Sequence, residues 1–259
     1  MSEIDPSQMA PTFKALFRTD EPQAKRCFTV LEGSTPGRIL TDDPTNPSWG
    51  VMQEGYDNCI YLGGVLDAPT IAGVINHLRQ DGDVHIGLWP DDPRFDLLPP
   101  PTRYGHWVLE FYDRPIGKGL DAYLDGVPDG CQVRRMDRDL ILLSEWGPGD
   151  VAYAGGIEAW EATCFGYCLL RDNAILAEAT VGPGALGLRE PGVFTQEAHR
   201  GKGYGTIVTA HLIHAIESLG DRTYWNCTQE NVASAAIARK LGYQVEKAYR
   251  LWGWKQEEH

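Results

Sequence analysis

The feature that most constrains this chain is the regular alternation of strand and helix signals over its last quarter, with a glycine-rich turn between one strand and one helix. Residues 191–195 read as a strand, 204–219 as a helix, 223–227 as a strand, 232–241 as a helix and 243–254 as a closing strand region. The turn is Arg200-Gly201-Lys202-Gly203-Tyr204-Gly205-Thr206, and behind it Val208, Leu212, Ala215, Ile216 and Leu219 form the helix's inner stripe. Such a succession belongs to the α/β (α+β) class, with a sheet flanked by helices.

Upstream, residues 132–135 read as a strand, and 165–170 with 174–181 as a hairpin turned by Asp172-Asn173. In the first half a helix is expected over about 15–28. Strands are expected over 38–41, 50–53, 59–63, 84–89 and 104–112. Pro69 suits the first turn of a helix over 70–79, whose apolar stripe is Ile71, Val74, Ile75 and Leu78. Residues 90–102 include Pro99-Pro100-Pro101, which cannot sit inside a helix or central strand, so they read as a stiff loop. The polar, glycine-containing stretch 115–130 is taken as a boundary. It separates an N-terminal α/β subdomain at residues 1–125 from a second domain at 126–259.

Composition excludes several classes. A formal charge of −13 lacks the basic footprint of a nucleic-acid binder and is compatible with a cationic substrate such as an amine. No stretch approaches the roughly 18 to 20 apolar residues of a membrane-spanning helix. The leader 1–11 is acidic and polar, unlike a secretory signal, and a cytoplasmic location is expected. The six cysteines, Cys27, Cys59, Cys131, Cys164, Cys168 and Cys227, show no Cys-x-x-Cys pair and no zinc spacing, so free thiols and no metal are expected.

The first main-chain N–H groups of a helix have no internal partner and carry partial positive charge, so a glycine turn opening a helix can cradle a phosphate. The turn at 200–206 lacks the Walker A spacing, and its third glycine arrives one residue early for a dinucleotide fingerprint. Gly182-Pro183-Gly184-Ala185-Leu186-Gly187 matches that fingerprint by letters, but a strand follows it. What remains is the pattern met by Arg200, Gly203 and Gly205. It resembles the loop with which the GNAT superfamily binds the pyrophosphate of acetyl-coenzyme A.

Residues 231–243 are similar to the superfamily's second signature. Asn231 opens a helix rich in Ala233, Ala235, Ala236 and Ala238 that ends in Lys240-Leu241-Gly242-Tyr243. Small side chains there would let a pantetheine arm pass, and they are equally good helix formers. The resemblance spans about residues 130–254. The phrases Val30-Leu31-Glu32-Gly33, Thr41-Asp42-Asp43-Pro44 and Asn46-Pro47 look like a two-part bacterial subgroup that includes the zwittermicin resistance acetyltransferase.

The resemblance implies a GNAT fold with a mixed, mostly antiparallel sheet, acetyl-coenzyme A as cosubstrate, and a small-molecule amine as acceptor beneath the N-terminal subdomain. Cofactor contacts would come from Val193, Phe194, Thr195, Arg200, Gly201, Lys202, Gly203, Tyr204, Gly205, Thr206, Asn231 and Ser234. Main-chain N–H groups near Val193 and Phe194 would polarise the thioester oxygen. Glu190 matches the place of the general base, with Glu178 next in line. The usual tyrosine acid, seven residues after Asn231, is replaced by Ala238. Cys227, Tyr204 and Tyr249 are then candidate donors, each also readable as packing. His211 and His214 read as half-exposed helical residues. The missing tyrosine keeps open a second class of function, an acyl-coenzyme A sensor without turnover.

Overall fold

The computed structural model describes residues 1–6, 9 and 12–257, with the main chain alone at 104, so part of the polar leader 1–11 lies outside the described residues. In chain order the elements are β1 (Ser2–Ile4), α1 (Ala24–Leu31), β2 (Gly37–Thr41), β3 (Trp49–Glu54), β4 (Cys59–Gly64), α2 (Ala68–Leu78), β5 (Val84–Leu88), β6 (Arg103–Tyr112) and α3 (Asp121–Leu124). There follow β7 (Gln132–Arg135), α4 (Arg138–Leu143), α5 (Gly147–Ala154), α6 (Ile157–Thr163), β8 (Phe165–Arg171) and β9 (Ala174–Val181). The last are β10 (Leu188–Arg189), β11 (Pro191–Thr195), α7 (Tyr204–Ser218), β12 (Arg222–Thr223), β13 (Trp225–Thr228), α8 (Val232–Lys240) and β14 (Val245–Trp254). No described helix is long and apolar enough to cross a membrane.

Contacts divide the chain into two units, residues 1–108 with 248–259, and residues 109–247. In the first unit the strand order is β1-β2-β3-β4-β5-β14-β6, antiparallel except where β4 meets β5. Helix α2 seals one face. Ile71, Val74, Ile75 and Leu78 are at most 1% exposed and pack with Leu40, Val51, Ile60 and Ile86. Burying each such side chain is worth about 1.5–3 kcal/mol, which makes that stripe the anchor of the unit. The helix expected over 15–28 is broken. A 3-10 turn covers Phe13–Leu16, and α1 starts only after Pro22 and the left-handed Gln23 (φ 54°), since proline cannot continue a helix from the residues before it.

The β4–β5 pairing of the first unit is brief. These parallel strands meet only at Cys59↔His85 and Ile60↔Ile86, and β4 then continues to Gly64 paired with β3 alone. The space beyond is filled. The Leu62 carbonyl accepts from Arg94 Nη1 (3.2 Å), Arg94 pairs with Glu21 (2.7 Å) and with Asp92, and a Cβ at Gly63 would lie 3.1 Å from the main chain of Leu16.

In the second unit the sheet β11-β9-β8-β7 is antiparallel throughout. Its hairpin turns at Asp172 (φ 50°) and Asn173 (φ 64°), the paired left-handed conformations of a type I′ turn, as the sequence predicts. Helix α7 covers this sheet through Val208, Leu212 and Ile216, each fully buried. Its burial extends over Ile207, Ala210 and Ile213, wider than the predicted stripe, whereas Leu219 caps the helix end and is 65% exposed. Helices α4, α5 and α6 fill residues 138–163, where Ile141 and Trp160 join Met136, Cys168 and Leu170 in a smaller core. Residues 115–130 lie inside this unit. Adjoining them, the buried Arg114 pairs with Glu217 on α7 and donates to Leu241 O (2.8 Å).

Candidate functional site

Two parallel two-residue strands set the geometry of the second unit. Leu188 pairs with Arg222 and Arg189 with Thr223, and Tyr224 N donates to Arg189 O (3.1 Å). The chains then part. β11 joins β9 as an edge strand, while β13 pairs with β6. The result is a fork, closed at β10/β12 and open between β11 and β13. In an antiparallel edge strand every second residue turns its N–H and C=O away from its neighbour, so β11 has main-chain donors and acceptors left for a ligand. Residues 192–196 are accordingly half-buried.

At the far end of β11 the chain makes a 3-10 turn (Glu197–His199) and enters α7. Gly203 is the N-cap residue, with φ 81° and no side-chain cap, and Gly201 has φ 77°. Left-handed φ costs L side chains roughly 1–2 kcal/mol, which is why the turn carries glycine at these two places. The first N–H groups of α7 have no side-chain acceptor, in a turn that exposes Arg200 and Lys202 within an otherwise acidic chain. Arg200 Nε donates to Thr195 O (3.3 Å) and Lys202 Nζ to Ala198 O (3.1 Å), so both side chains fold back over the turn. Gly205 lets α7 approach closely, because a Cβ there would meet Thr195 Oγ1 at 2.9 Å and Val193 Cγ2 at 3.4 Å. Tyr204 and Thr206 are buried, with Tyr204 stacked on His199 (6.2 Å). A helix N-terminus left open in this way suits a phosphate.

The carboxylates separate by environment. Glu190 lies where the fork opens, and its Oε2 accepts from Tyr224 Oη at 2.5 Å, the length of a charge-assisted hydrogen bond. Tyr224 is 1% exposed and stacks on Tyr112 (6.0 Å), whose hydroxyl donates to the buried Glu110. Glu178, by contrast, is fully buried. Its two oxygens accept from Glu145 N (3.0 Å) and Trp146 N (2.9 Å), and burial holds its carboxyl above the ordinary range. Those bonds seat Trp146 over β11, with its ring 5.8 Å from Phe194 and 3.1 Å from where a Gly192 Cβ would lie. Both oxygens are therefore committed to main-chain donors, which argues for a structural anchor and against the base expected of Glu178.

Along β13 and α8, Asn231 caps its helix by accepting from Ser234 N (3.1 Å), and Ser234 Oγ accepts from Trp225 Nε1 (3.0 Å). Cys227 is 7% exposed, and burial pushes its thiol up from the ordinary range. Ala238 is fully buried with no proton to give. Tyr249 belongs to the first unit, where Gln23 donates to its hydroxyl and Trp89 meets its ring edge-on. His211 is half-buried against Tyr167 (6.3 Å) and His214 is exposed. Sequence reasoning missed Tyr224 and Trp146. Tyr224 is signalled only by being an aromatic at the start of a strand, and Trp146 by nothing in the local pattern.

The chain matches the GNAT acetyltransferase family over residues 14–252. It is 26% identical over 238 residues to the uncharacterized N-acetyltransferase YdfB of Bacillus subtilis (strain 168), covering 87% of this chain and 88% of that one. Its fold resembles that of a GCN5-related N-acetyltransferase-like protein from Streptococcus suis 89/1591 (TM-score 0.68, 20% identity, 96% and 100% of the two chains). It also resembles a tandem GNAT protein from the clavulanic acid biosynthesis pathway (TM-score 0.64, 11% identity, 98% and 94%). The mostly antiparallel sheets flanked by helices are those of the GNAT fold, and with the family match running through both units, this chain belongs to the GNAT family of acetyltransferases.

Proposed function

We propose that the protein is an acetyl-coenzyme A dependent N-acetyltransferase that acts on the amine of a small molecule by direct attack in a ternary complex. The observation that carries this reading is the open N-terminus of α7, with Gly201 and Gly203 at positive φ directly after the edge strand β11. These residues fit the cosubstrate. The turn 200–206 offers donors to a pyrophosphate, and β11 offers main-chain groups to an amide-bearing arm. When bound, acetyl-coenzyme A supplies an acetyl thioester.

The chain's own groups then divide the work. Main-chain N–H groups near Val193 and Phe194 donate to the oxygen that gains charge during attack. Glu190 takes a proton from the acceptor's ammonium, directly or through one water, so that the neutral amine attacks the thioester carbon, and Tyr224 holds the carboxylate in place. Cys227, kept as a thiol by burial, is the candidate donor toward the leaving sulfur where Ala238 has none. Net charge −13 favours the approach of a cationic acceptor.

Ala238 also favours a second reading, an acyl-coenzyme A sensor. Thermal unfolding with acetyl-coenzyme A, coenzyme A and NAD tests the site, because a ligand at 100 times its Kd stabilises by about 2.7 kcal/mol. A shift with both coenzyme A species and none with NAD is expected. Thiol release with a panel of amines then separates enzyme from sensor. A large shift without release from any amine would favour the sensor, and no shift would sink both readings.

A further inference from the structure

We propose that the first unit holds a second ligand site, a tryptophan-lined cleft that binds a small carboxylate with an aromatic or branched apolar body. The cleft has a volume of about 430 Å³, within the roughly 300–1,000 Å³ of small-molecule sites. Its walls include Phe95, Trp107, Trp254 and the proline run 99–101, and Arg250 and Trp252 also line it. The prolines have fixed φ, and Trp254 Nε1 donates to Pro100 O (3.2 Å), so this wall is built before any ligand arrives.

Two buried donors in this lining have no acceptor, namely Arg250 Nε and Trp252 Nε1. Leaving such groups unpaired is costly, and other tryptophans avoid it. Trp254 bonds Pro100, and Trp89 Nε1 donates to Asp20 O (2.8 Å). The Arg250 guanidinium lies 4.7 Å from the Trp252 ring and 5.4 Å from the Trp107 ring. Those rings orient it, but among the described residues no carboxylate neutralises it. A ligand carboxylate supplies what is missing, one oxygen for each orphaned N–H and a negative charge for Arg250. The apolar walls demand that the rest of the ligand be apolar, and the arginine rejects an amine. This site stands apart from the acetyl-transfer reading and does not depend on it.

The test is a titration of full-length, ¹⁵N-labelled protein with 3-phenylpropionate, followed through the tryptophan indole N–H signals. Phenethylamine and 3-phenylpropan-1-ol are titrated in parallel. Trp252→Phe, which removes the N–H and keeps an aromatic ring, assigns the Trp252 signal. The expected result is a saturable shift of that signal with the acid and no shift with the amine. Arg250→Gln weakens acid binding by roughly tenfold or more, and Arg250→Lys falls between the two. Equal binding of acid, alcohol and amine would overturn the proposal, as would a Trp252 signal that never moves. Should Arg250→Gln not fold, the contrast between acid and amine on the wild-type protein decides alone.

Discussion

Each unit contains a helix that follows a strand at a parting of the sheet, and the two helix entrances differ in chemistry. In the first unit Asp67 caps α2 by accepting from Thr70 N (2.9 Å), and Pro69 contributes no N–H at all. The strand before it is occupied as well, with Arg94 on the Leu62 carbonyl and Leu16 against Gly63. In the second unit the corresponding helix, α7, starts at an uncapped glycine, and the strand before it is an open edge. The same physical requirement, that orphaned helix N–H groups find acceptors, is met internally in one case and, in the function proposed above, by a ligand in the other. A strand-to-helix turn is therefore not by itself a phosphate site. What matters is whether its own side chains have already used the donors.

The comparison can be broken in order of expected effect. Glu190→Gln should lower kcat by about 10²–10³ while the thermal shift with coenzyme A stays as in the wild type, because it removes the base and leaves the cradle. Unchanged turnover would remove Glu190 from the chemistry. Gly203→Val places a branched side chain at φ 81° and should weaken coenzyme A by about tenfold, read by calorimetry.

Its counterpart, Asp67→Ala, should leave coenzyme A affinity unaltered and lower Tm by roughly 2–4 °C. The Asp67 carboxyl is held below its ordinary range by hydrogen bonds from Thr70. Its stabilising contribution is therefore present above the unfolded aspartate range, near pH 4, and disappears as pH falls through the folded value. The Tm gap between wild type and Asp67→Ala should accordingly persist at pH 7 and close toward pH 3. Loss of coenzyme A binding in Asp67→Ala would mean that the two entrances do not differ as described.

Tyr224→Phe deletes the donor to Glu190 and should cut kcat about 3- to 10-fold. Because that bond favours the charged carboxylate, its loss should also move the acid limb of the pH–rate profile to higher pH. A drop in rate with the limb unmoved would make Tyr224 a packing residue only. Smallest of all, Cys227→Ala should change kcat by less than about 3-fold, with water replacing the thiol as proton donor, and a loss of ~10² would make the thiol the required donor.

Much of the second unit was legible because its signals are local. Asp172-Asn173 turns the hairpin through two left-handed residues, and Gly201 and Gly203 adopt the positive φ that an anion turn requires. The helix expected over 15–28 breaks at Pro22 and Gln23, where the turn is masked by a run of good helix formers on either side. Residues 138–163 are broken into helices of six to eight residues, too short for periodicity to declare them.

The amino-acid sequence alone determined the turn chemistry, the helix and strand periods and the two signatures that mark the family, since these depend on neighbours a few residues apart. Tertiary structure decided the rest. It brought Tyr224 to Glu190, 34 residues away, spent both oxygens of Glu178 on the N–H groups that seat Trp146, and left Arg250 and Trp252 with unpaired donors beside a proline wall. Which donors each carboxylate meets depends on strand register and packing across long separations, and no local pattern of residues records that.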